Sequence, residues 1–346
     1  MRAVVYDAFG APPSVRETEA PACPDRGVVV RVGATGVCRS DWHAWRGHDP
    51  VALPHVPGHE LAGTVASVGS DVRDFHVGDR VTVPFVCGCG RFDTCAEGNH
   101  QVCPFQTQPG FTAPGSFAEL VALDAADTNL VRLPDSVDFV TAASLGCRFA
   151  TAFRALTSHG RVRPGDWVAV HGCGGVGLSA VMIAAALGAR VIGVDVSPEA
   201  RRLAESLGAT RCVDGSVANV AERVRSITAG GAQISVDAVG APGTAAASVR
   251  SLRPRGRSLQ IGLLVGPGAA PELPMDLVIA RELEIHGCHG MAAHDYPPML
   301  AMITAGQLAP RRLVGTVIGL DGAPAALMAM DRPAQSAGMT VIDLTR

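Results

Sequence analysis

Large aromatic side chains are scarce in this chain of 346 residues: ten Phe, three Trp and two Tyr make up 4% of it. A helical bundle cored with rings is therefore disfavoured, and the abundant Gly, Ala and Val suit thin α/β layers joined by tight turns. An excess of charge is missing too. With a net charge of −3 and an isoelectric point near 6.4, the chain has no electrostatic case for nucleic acid or an anionic membrane. Long apolar runs are absent: the longest, "LSAVMIAAALGA", is too short to span a bilayer. The N-terminal "MRAVVYDAFG" has neither a continuous apolar core nor a cleavage site, so it does not read as a signal peptide. The expectation is a cytoplasmic enzyme.

Cysteine, by contrast, is plentiful. Without an export signal, ten thiols point to metal ligation or plain burial before disulfides. Cys87, Cys89, Cys95 and Cys103 crowd into seventeen residues, which argues for metal locally. Cys23, Cys212 and Cys288 stand alone and read as small buried apolar residues.

The first 130 residues carry short β-type runs separated by Gly and Pro, such as "GVVVRVGATGV", "LAGTVASVGS" and "DRVTVPFV". They predict a small antiparallel barrel or sandwich. "TAASLGCRFATAFRAL" changes to helical spacing and reads as the helix leaving that unit. From "GDWVAVHG" onward strands ("WVAVH", "RVIGVD", "RCVD", "QISVDAV", "SLQIGL") alternate with helices ("GLSAVMIAAALGA", "PEARRLAESLGA"). That alternation predicts an α/β doubly wound parallel sheet. "LEIHG" reads as its last strand, "YPPMLAMITAGQL" as a helix and "MTVIDL" as a return to the first unit, while "LLVGPGAAPELP" reads as a loop.

After "WVAVH", the segment "GCGGVG" (Gly172, Gly174, Gly175, Val176 and Gly177 among its residues) has the G-x-G-x-x-G spacing and opens a helix. The first glycine permits the turn, the second lets backbone approach a pyrophosphate, and the third brings helix and strand together. Asp195 ends the next strand eighteen residues after Gly177. Its carboxylate suits the two ribose hydroxyls of NAD and repels the 2′-phosphate of NADP. Arg201 and Arg202, six and seven residues further on, either soften that preference or, as the favoured reading, form a solvated helix face.

A nicotinamide takes up hydride only, so oxidising an alcohol also demands loss of the hydroxyl proton. Bound Zn²⁺ lowers the pKa of a coordinated water from about 15.7 to about 7, worth roughly 12 kcal/mol, which no uncharged side chain approaches. Three protein ligands and an open fourth position are needed. Cys38 in "CRSDWH" and His59 in "VPGHELAG" are candidates, with Glu60 adjacent.

"GHELAGTVASVG" fits the G-H-E-x-x-G-x5-G signature of zinc alcohol dehydrogenases, and "CRSDWH" resembles that family's catalytic segment. The chain resembles the medium-chain, zinc-dependent alcohol dehydrogenases along essentially its whole length. The resemblance implies a GroES-like β-barrel catalytic domain over 1–148 with a lobe at 87–103, a Rossmann domain over 149–286, and a segment over 287–346 returning to the barrel. It makes Cys38, His59 and Cys147 (in "SLGCRF") the catalytic zinc ligands, although Cys147 taken singly reads as a buried helix cysteine. Ser40 would take the alcohol proton and His43 pass it on through the nicotinamide ribose; Asp41 would orient His59; Arg39 would contact the diphosphate. Glu60 would approach zinc during ligand exchange, or else be satisfied by backbone or an arginine. Homodimers or homotetramers, built on the edge near "LEIHG", and a small alcohol or carbonyl substrate complete the expectation.

One departure stands out. The family's structural-zinc lobe has the spacing C-x2-C-x2-C-x7-C, and here Cys89, Cys95 and Cys103 fill three places while Phe92 occupies the second. The expectation is a metal-free lobe, with Cys87 as a candidate fourth ligand only if the loop rearranges and His100 as another possible donor, though favoured as a solvated loop residue. His48 and His55 are candidates for lining the substrate cleft, as are Trp42, Trp45 and Phe85. The rival functions are a zinc-independent reductase of activated double bonds and a nucleotide-binding protein without turnover.

Overall fold

The computed structural model describes residues 1–266, 269–332 and 337–346. Residues 267 and 268, within the stretch read above as a loop, lie outside the described residues. The N-terminal unit opens with an antiparallel ribbon, β1 (Arg2–Val5) and β2 (Ser14–Glu17). Its axis is β3 (Val28–Val37), in which Arg31 alone is exposed. β4 (Glu60–Val68) and β6 (Leu120–Leu123), both antiparallel, pair with its edges, and its faces are buried by the barrel core and by the helix Phe139–Ala143, whose Phe139 ring lies against Gly33. β5 (Arg80–Thr82) and β7 (Val131–Arg132) continue the sheet beyond β4. Val30, Val32, Leu61, Val65, Val81 and Val121 form its core, each contributing roughly 1.5–3 kcal/mol of burial.

The second unit is a six-stranded sheet, parallel throughout: β8 (Trp167–His171), β9 (Arg190–Asp195), β10 (Ala209–Asp214), β11 (Ala232–Asp237), β12 (Leu252–Gln260) and β13 (Glu284–Gly287). Its order is β10-β9-β8-β11-β12-β13. The order reverses between β8 and β11, and the carboxyl ends of those strands open the crevice in which such sheets bind ligands.

β14 (Val314–Ile318) and β15 (Met339–Asp343) return to the first sheet, with β15 antiparallel to β3. The segment joining the two units is helical but irregular. Asp138 caps the helix Phe139–Ala143 by accepting from the Thr141 amide at 2.8 Å; wider π turns follow at Leu145–Phe149 and Ala155–His159. Apolar spacing predicted a helix there without revealing those turns, the first of which carries Cys147. No helix among the described residues is long and apolar enough to cross a membrane.

Candidate active site

Three segments bring Cys38, His59, Glu60 and Cys147 together, one donor atom from each lying within 4.8 Å of the others. Cys38 ends β3 and starts the helix Arg39–Trp45. Asp41, fully buried, fixes that start: its Oδ2 accepts from the Cys38 amide at 2.9 Å. Its Oδ1 accepts from the Gly58 amide at 3.1 Å and from His59 Nδ1 at 2.9 Å. One carboxylate thus aligns a thiol, a turn and an imidazole. Gly58 has φ +108°, and a Cβ there would sit 2.7 Å from Ser116 Oγ, so only glycine admits the turn that presents His59. The π turn holding Cys147 is pinned from behind: the Gly146 carbonyl accepts from the Phe85 amide at 3.2 Å and from the Tyr296 hydroxyl at 3.3 Å. π turns frequently mark functional sites.

The electrostatics of this cluster suit a soft divalent cation. With Nδ1 occupied by Asp41, His59 Nε2 is buried and has no hydrogen-bond partner among the described residues, an arrangement that is costly unless something binds there. Burial opposes protonation of His59, but the Asp41 carboxylate and the Cys38 sulfur outweigh it and hold the imidazole's proton affinity well above normal. Contact with the Cys147 thiol, together with the Arg148 guanidinium and His59, pulls the Cys38 thiol well below its ordinary pKa despite burial. Two sulfurs and one imidazole nitrogen are a common zinc donor set that leaves a fourth position open. Glu60 is differently engaged. Its Oε1 accepts from the Arg148 amide at 3.1 Å and from Arg148 Nε at 3.0 Å, and its Oε2 pairs with Arg148 NH2. Of the two options for Glu60, satisfaction by backbone and an arginine describes this geometry. The identity of that arginine was not legible, because 88 positions separate the partners.

Ser40 Oγ lies 3.9 Å from Cys38 Sγ, at the edge of the cluster. His43 is half-buried, its Nδ1 3.0 Å from Nδ1 of His48, an exposed residue. Burial and then the His48 charge hold the His43 imidazole below its ordinary pKa. Arg39 is exposed; its NH1 donates to the Met330 carbonyl at 2.6 Å and its guanidinium lies 4.8 Å over the Trp42 ring, so in this arrangement it faces residue 330 and not the glycine loop. Phe85 and Phe111 flank His59 with ring centroids at 6.1 and 5.3 Å; Phe111 carries no motif that would have marked it. Trp45 does not line the cleft: it is core, packed with Tyr6 and Leu327, and its indole donates to the Ala11 carbonyl. His55 is likewise buried, with Nε2 2.8 Å from the Gly110 carbonyl oxygen.

In the parallel sheet, Gly172 (φ +90°) makes the turn after β8, and Gly177 passes so close that a Cβ on it would overlap the Gly172 carbonyl oxygen. The helix Gly175–Ala186 begins here, Gly174 is exposed, and Gly172, Asp195, Val196 and Val239 help to line a crevice of about 720 Å³. Asp195 Oδ2 accepts from the Cys173 amide at 2.7 Å and Oδ1 from the Ser197 amide at 2.8 Å, leaving one lone pair on each oxygen for a ligand. Arg202 is solvated beside Glu199, but Arg201 is not a free surface cation. Its guanidinium is held by the Asp195 and Val196 carbonyls and by Asp214 at 3.3 Å, because the turn after β9 folds back over it.

The lobe gathers Cys89, Cys95 and Cys103, with Cys89 Sγ 3.5 Å from Cys103 and 3.9 Å from Cys95. Phe92 is turned outward against Phe105. Cys87 does not join the trio: it packs in the barrel core, donates to the Pro84 carbonyl, and burial pushes its thiol up to about 12. His100 is not a solvated loop residue either, since its ring packs edge-on against His294 and its Nδ1 is buried. Among the described residues no fourth donor joins these three thiols, a set that does not fit a closed structural zinc site.

Comparison with known proteins agrees with both units. Residues 24–135 match the family described as alcohol dehydrogenase GroES-like domain, and residues 175–305 match zinc-binding dehydrogenase. An alcohol dehydrogenase of Rhizobium meliloti (strain 1021) is 34% identical over 89% of this chain and 90% of its own length. One from Geobacillus stearothermophilus is 36% identical over 76% of this chain and 78% of its own. The solved alcohol dehydrogenase TADH from Thermus sp. ATN1 superposes with a TM-score of 0.91 at 32% identity, covering 99% of each chain. With the glycine loop at the switch point of the parallel sheet and the thiol–imidazole cluster beneath it, the chain belongs to the zinc-dependent medium-chain alcohol dehydrogenases and is an oxidoreductase acting on CH–OH groups with zinc and a nicotinamide dinucleotide.

Proposed function

We propose that Cys38, His59 and Cys147 hold one catalytic zinc and that the dinucleotide is NAD. The observation that carries the first part is His59 Nε2, buried, unpartnered, and grouped with two sulfurs. When bound, the zinc supplies the charge that acidifies an alcohol hydroxyl, and the nicotinamide accepts the carbinol hydride. Ser40, beside Cys38, holds that hydroxyl by hydrogen bond and receives its proton. His43 takes the proton onward, with the nicotinamide ribose as bridge, and the Nδ1–Nδ1 contact makes His48 the exit to solvent: one proton fits between the two rings, and a second is repelled. Asp41 keeps the His59 proton on Nδ1, so that the Nε2 lone pair stays available. Arg39, Gly172, Gly174, Gly175, Val176 and Gly177 form the diphosphate site, which Arg39 can reach only by leaving the Met330 carbonyl.

Support for NAD over NADP comes from Asp195, whose remaining lone pairs suit ribose hydroxyls and whose charge repels a 2′-phosphate. Arg201, already committed to two carbonyls and Asp214, does not offset that repulsion. We read the lobe as free of a second zinc, the chain as divided into 1–148, 149–286 and 287–346, and the assembly as a homodimer or homotetramer. The last rests on β13, which ends the parallel sheet, and on exposed Ile279 and Ile285 near it. Ten free thiols suit a reducing, cytoplasmic compartment. The test is metal removal: protein stripped by a chelator, still folded and still binding NADH, should lose NAD-dependent alcohol oxidation and regain it on adding zinc. Undiminished turnover by the stripped protein overturns the reading.

A further inference from the structure

Arg148 immediately follows Cys147 in the π turn and is buried to about nine-tenths, with a side-chain exposure of 9%. Two glycines shape the slot that holds it. In β3, a Cβ on Gly36 would overlap Glu60 Oε2 and lie 3.0 Å from Arg148 NH2. On the dinucleotide side, a Cβ on Gly175 would lie 2.6 Å from Arg148 Cδ and 3.2 Å from its NH1. Gly175 is the glycine of "GCGGVG" that the G-x-G-x-x-G spacing does not require, and the arginine beside it explains why a side chain is excluded there. Nε and NH2 are spent on Glu60, whereas NH1 has no protein acceptor among the described residues and lies toward the first residue of the helix Gly175–Ala186.

We propose that Arg148 is a positioning residue that couples the dinucleotide loop to the Cys38–His59–Cys147 set: Glu60 anchors one side of its guanidinium, and the other side braces the glycine loop and offers NH1 to the bound dinucleotide. The inference rests on the metal-site reading above. A bidentate fork is what the geometry uses, so a lysine keeps the charge but cannot make both contacts. Occupation of the glycine loop is thereby transmitted to the peptide that carries Cys147, one bond away in sequence.

The test uses cobalt-substituted full-length protein, whose visible absorption reports the ligand geometry, with NADH affinity read separately by fluorescence. In wild type, NAD⁺ shifts the cobalt spectrum. In Arg148→Met and Arg148→Lys the cobalt is retained, the shift is lost, and the NADH Kd rises roughly 10-fold or more. Glu60→Gln, which leaves the arginine without its anchor, loses the spectral shift with a smaller change in Kd; it serves as the second variant should the Arg148 replacements fold poorly. A full shift and an unchanged Kd in Arg148→Met overturn the coupling while leaving the metal site intact. A Cys38→Ser variant that takes up cobalt as well as the wild-type protein overturns the metal-site reading and this inference with it.

Discussion

Replacing Asp41 with Asn removes one negative charge and almost no volume, and the structure dictates where the loss falls. Three N–H groups converge on the carboxylate, two on Oδ1 and one on Oδ2. An amide has a single oxygen. If that oxygen takes the Oδ1 place, the bonds from Gly58 and His59 survive, but the amide NH₂ is driven against the Cys38 N–H, and a charge-assisted bond becomes an orphaned buried donor. If the amide flips, its NH₂ faces His59 Nδ1 and forces the ring proton onto Nε2, removing the lone pair meant for the metal. Either outcome costs about 1.5–3 kcal/mol, which corresponds to roughly the 10–100-fold loss of metal affinity expected when the partner of a ligating His is removed. The measurement is zinc competition against a chromophoric chelator near neutral pH, in a Cys103→Ser background so that only the Cys38–His59–Cys147 set retains its full donor count. Asp41→Asn should bind zinc weakly and lose turnover in proportion to the zinc lost. An affinity equal to that of the background protein would refute the argument, since it would mean that the convergence of three donors on Asp41 has no bearing on the imidazole.

The remaining expectations address protons, the lobe and the relay. His43 must be neutral to accept a proton, and burial and then His48 hold its pKa down; in His48→Gln the acid limb of the kcat/KM–pH profile should therefore move to higher pH, and an unmoved limb would break the His43–His48 link. His171 is buried at the end of β8 with its pKa lowered by burial to about 4 from 6.5. Because the unfolded chain takes up that proton first, its stabilising contribution, fully present above pH 6.5, fades as pH falls toward 4, by about 3 kcal/mol in total. Urea unfolding at several pH values should show His171→Gln losing that much less on acidification than wild type. Phe92→Cys should add a fourth thiol to the lobe and raise zinc content by one equivalent per chain, read by elemental analysis. Ser40→Ala should keep zinc and NADH affinity while kcat for alcohol oxidation falls roughly 10²–10⁴-fold; a variant as fast as wild type would remove Ser40 from the relay.

Legibility in the sequence followed the distance over which each feature is written. "GCGGVG" lies within one turn and its partner Asp195 in the next strand, so the loop and the alternation of strands and helices could be read from residues alone, whereas the strand order, with its switch point between β8 and β11, is set by long-range pairing and could not. The barrel was legible as short strands, but β14 and β15 reach it across the whole parallel sheet, and only the closing "MTVIDL" hinted at that. Cys147 has no local signature and needed a family resemblance. Arg148 was beyond reach for the same reason: an arginine in an apolar helical run looks like a surface residue until Glu60 arrives from β4. Trp45 and His55 were misleading in the opposite sense. A ring near a catalytic segment suggests a pocket wall, and burial of Tyr6 beneath them is a tertiary fact that no spacing encodes.

Charge accounts for why so many ionisable groups share one buried volume. Cys38, Cys147, Asp41 and Glu60 bring four potential negative charges, against which the protein sets the one permanent positive charge of Arg148. A buried cluster three charges out of balance cannot persist, so without a cation protons must be held within it, on the Cys147 thiol and the His59 imidazole. In that state, contact with Cys38, followed by burial, raises the Cys147 thiol well above its ordinary pKa. On the proposed reading, a divalent cation would reduce the imbalance to one negative charge, and the alcohol's proton, passed from Ser40 through His43 to His48 before hydride leaves the carbinol carbon, would exit where solvent can accept it. On this reading, an exposed histidine at the end of that path and a buried arginine paired with Glu60 are the two placements that keep the balance from being restored by a trapped proton.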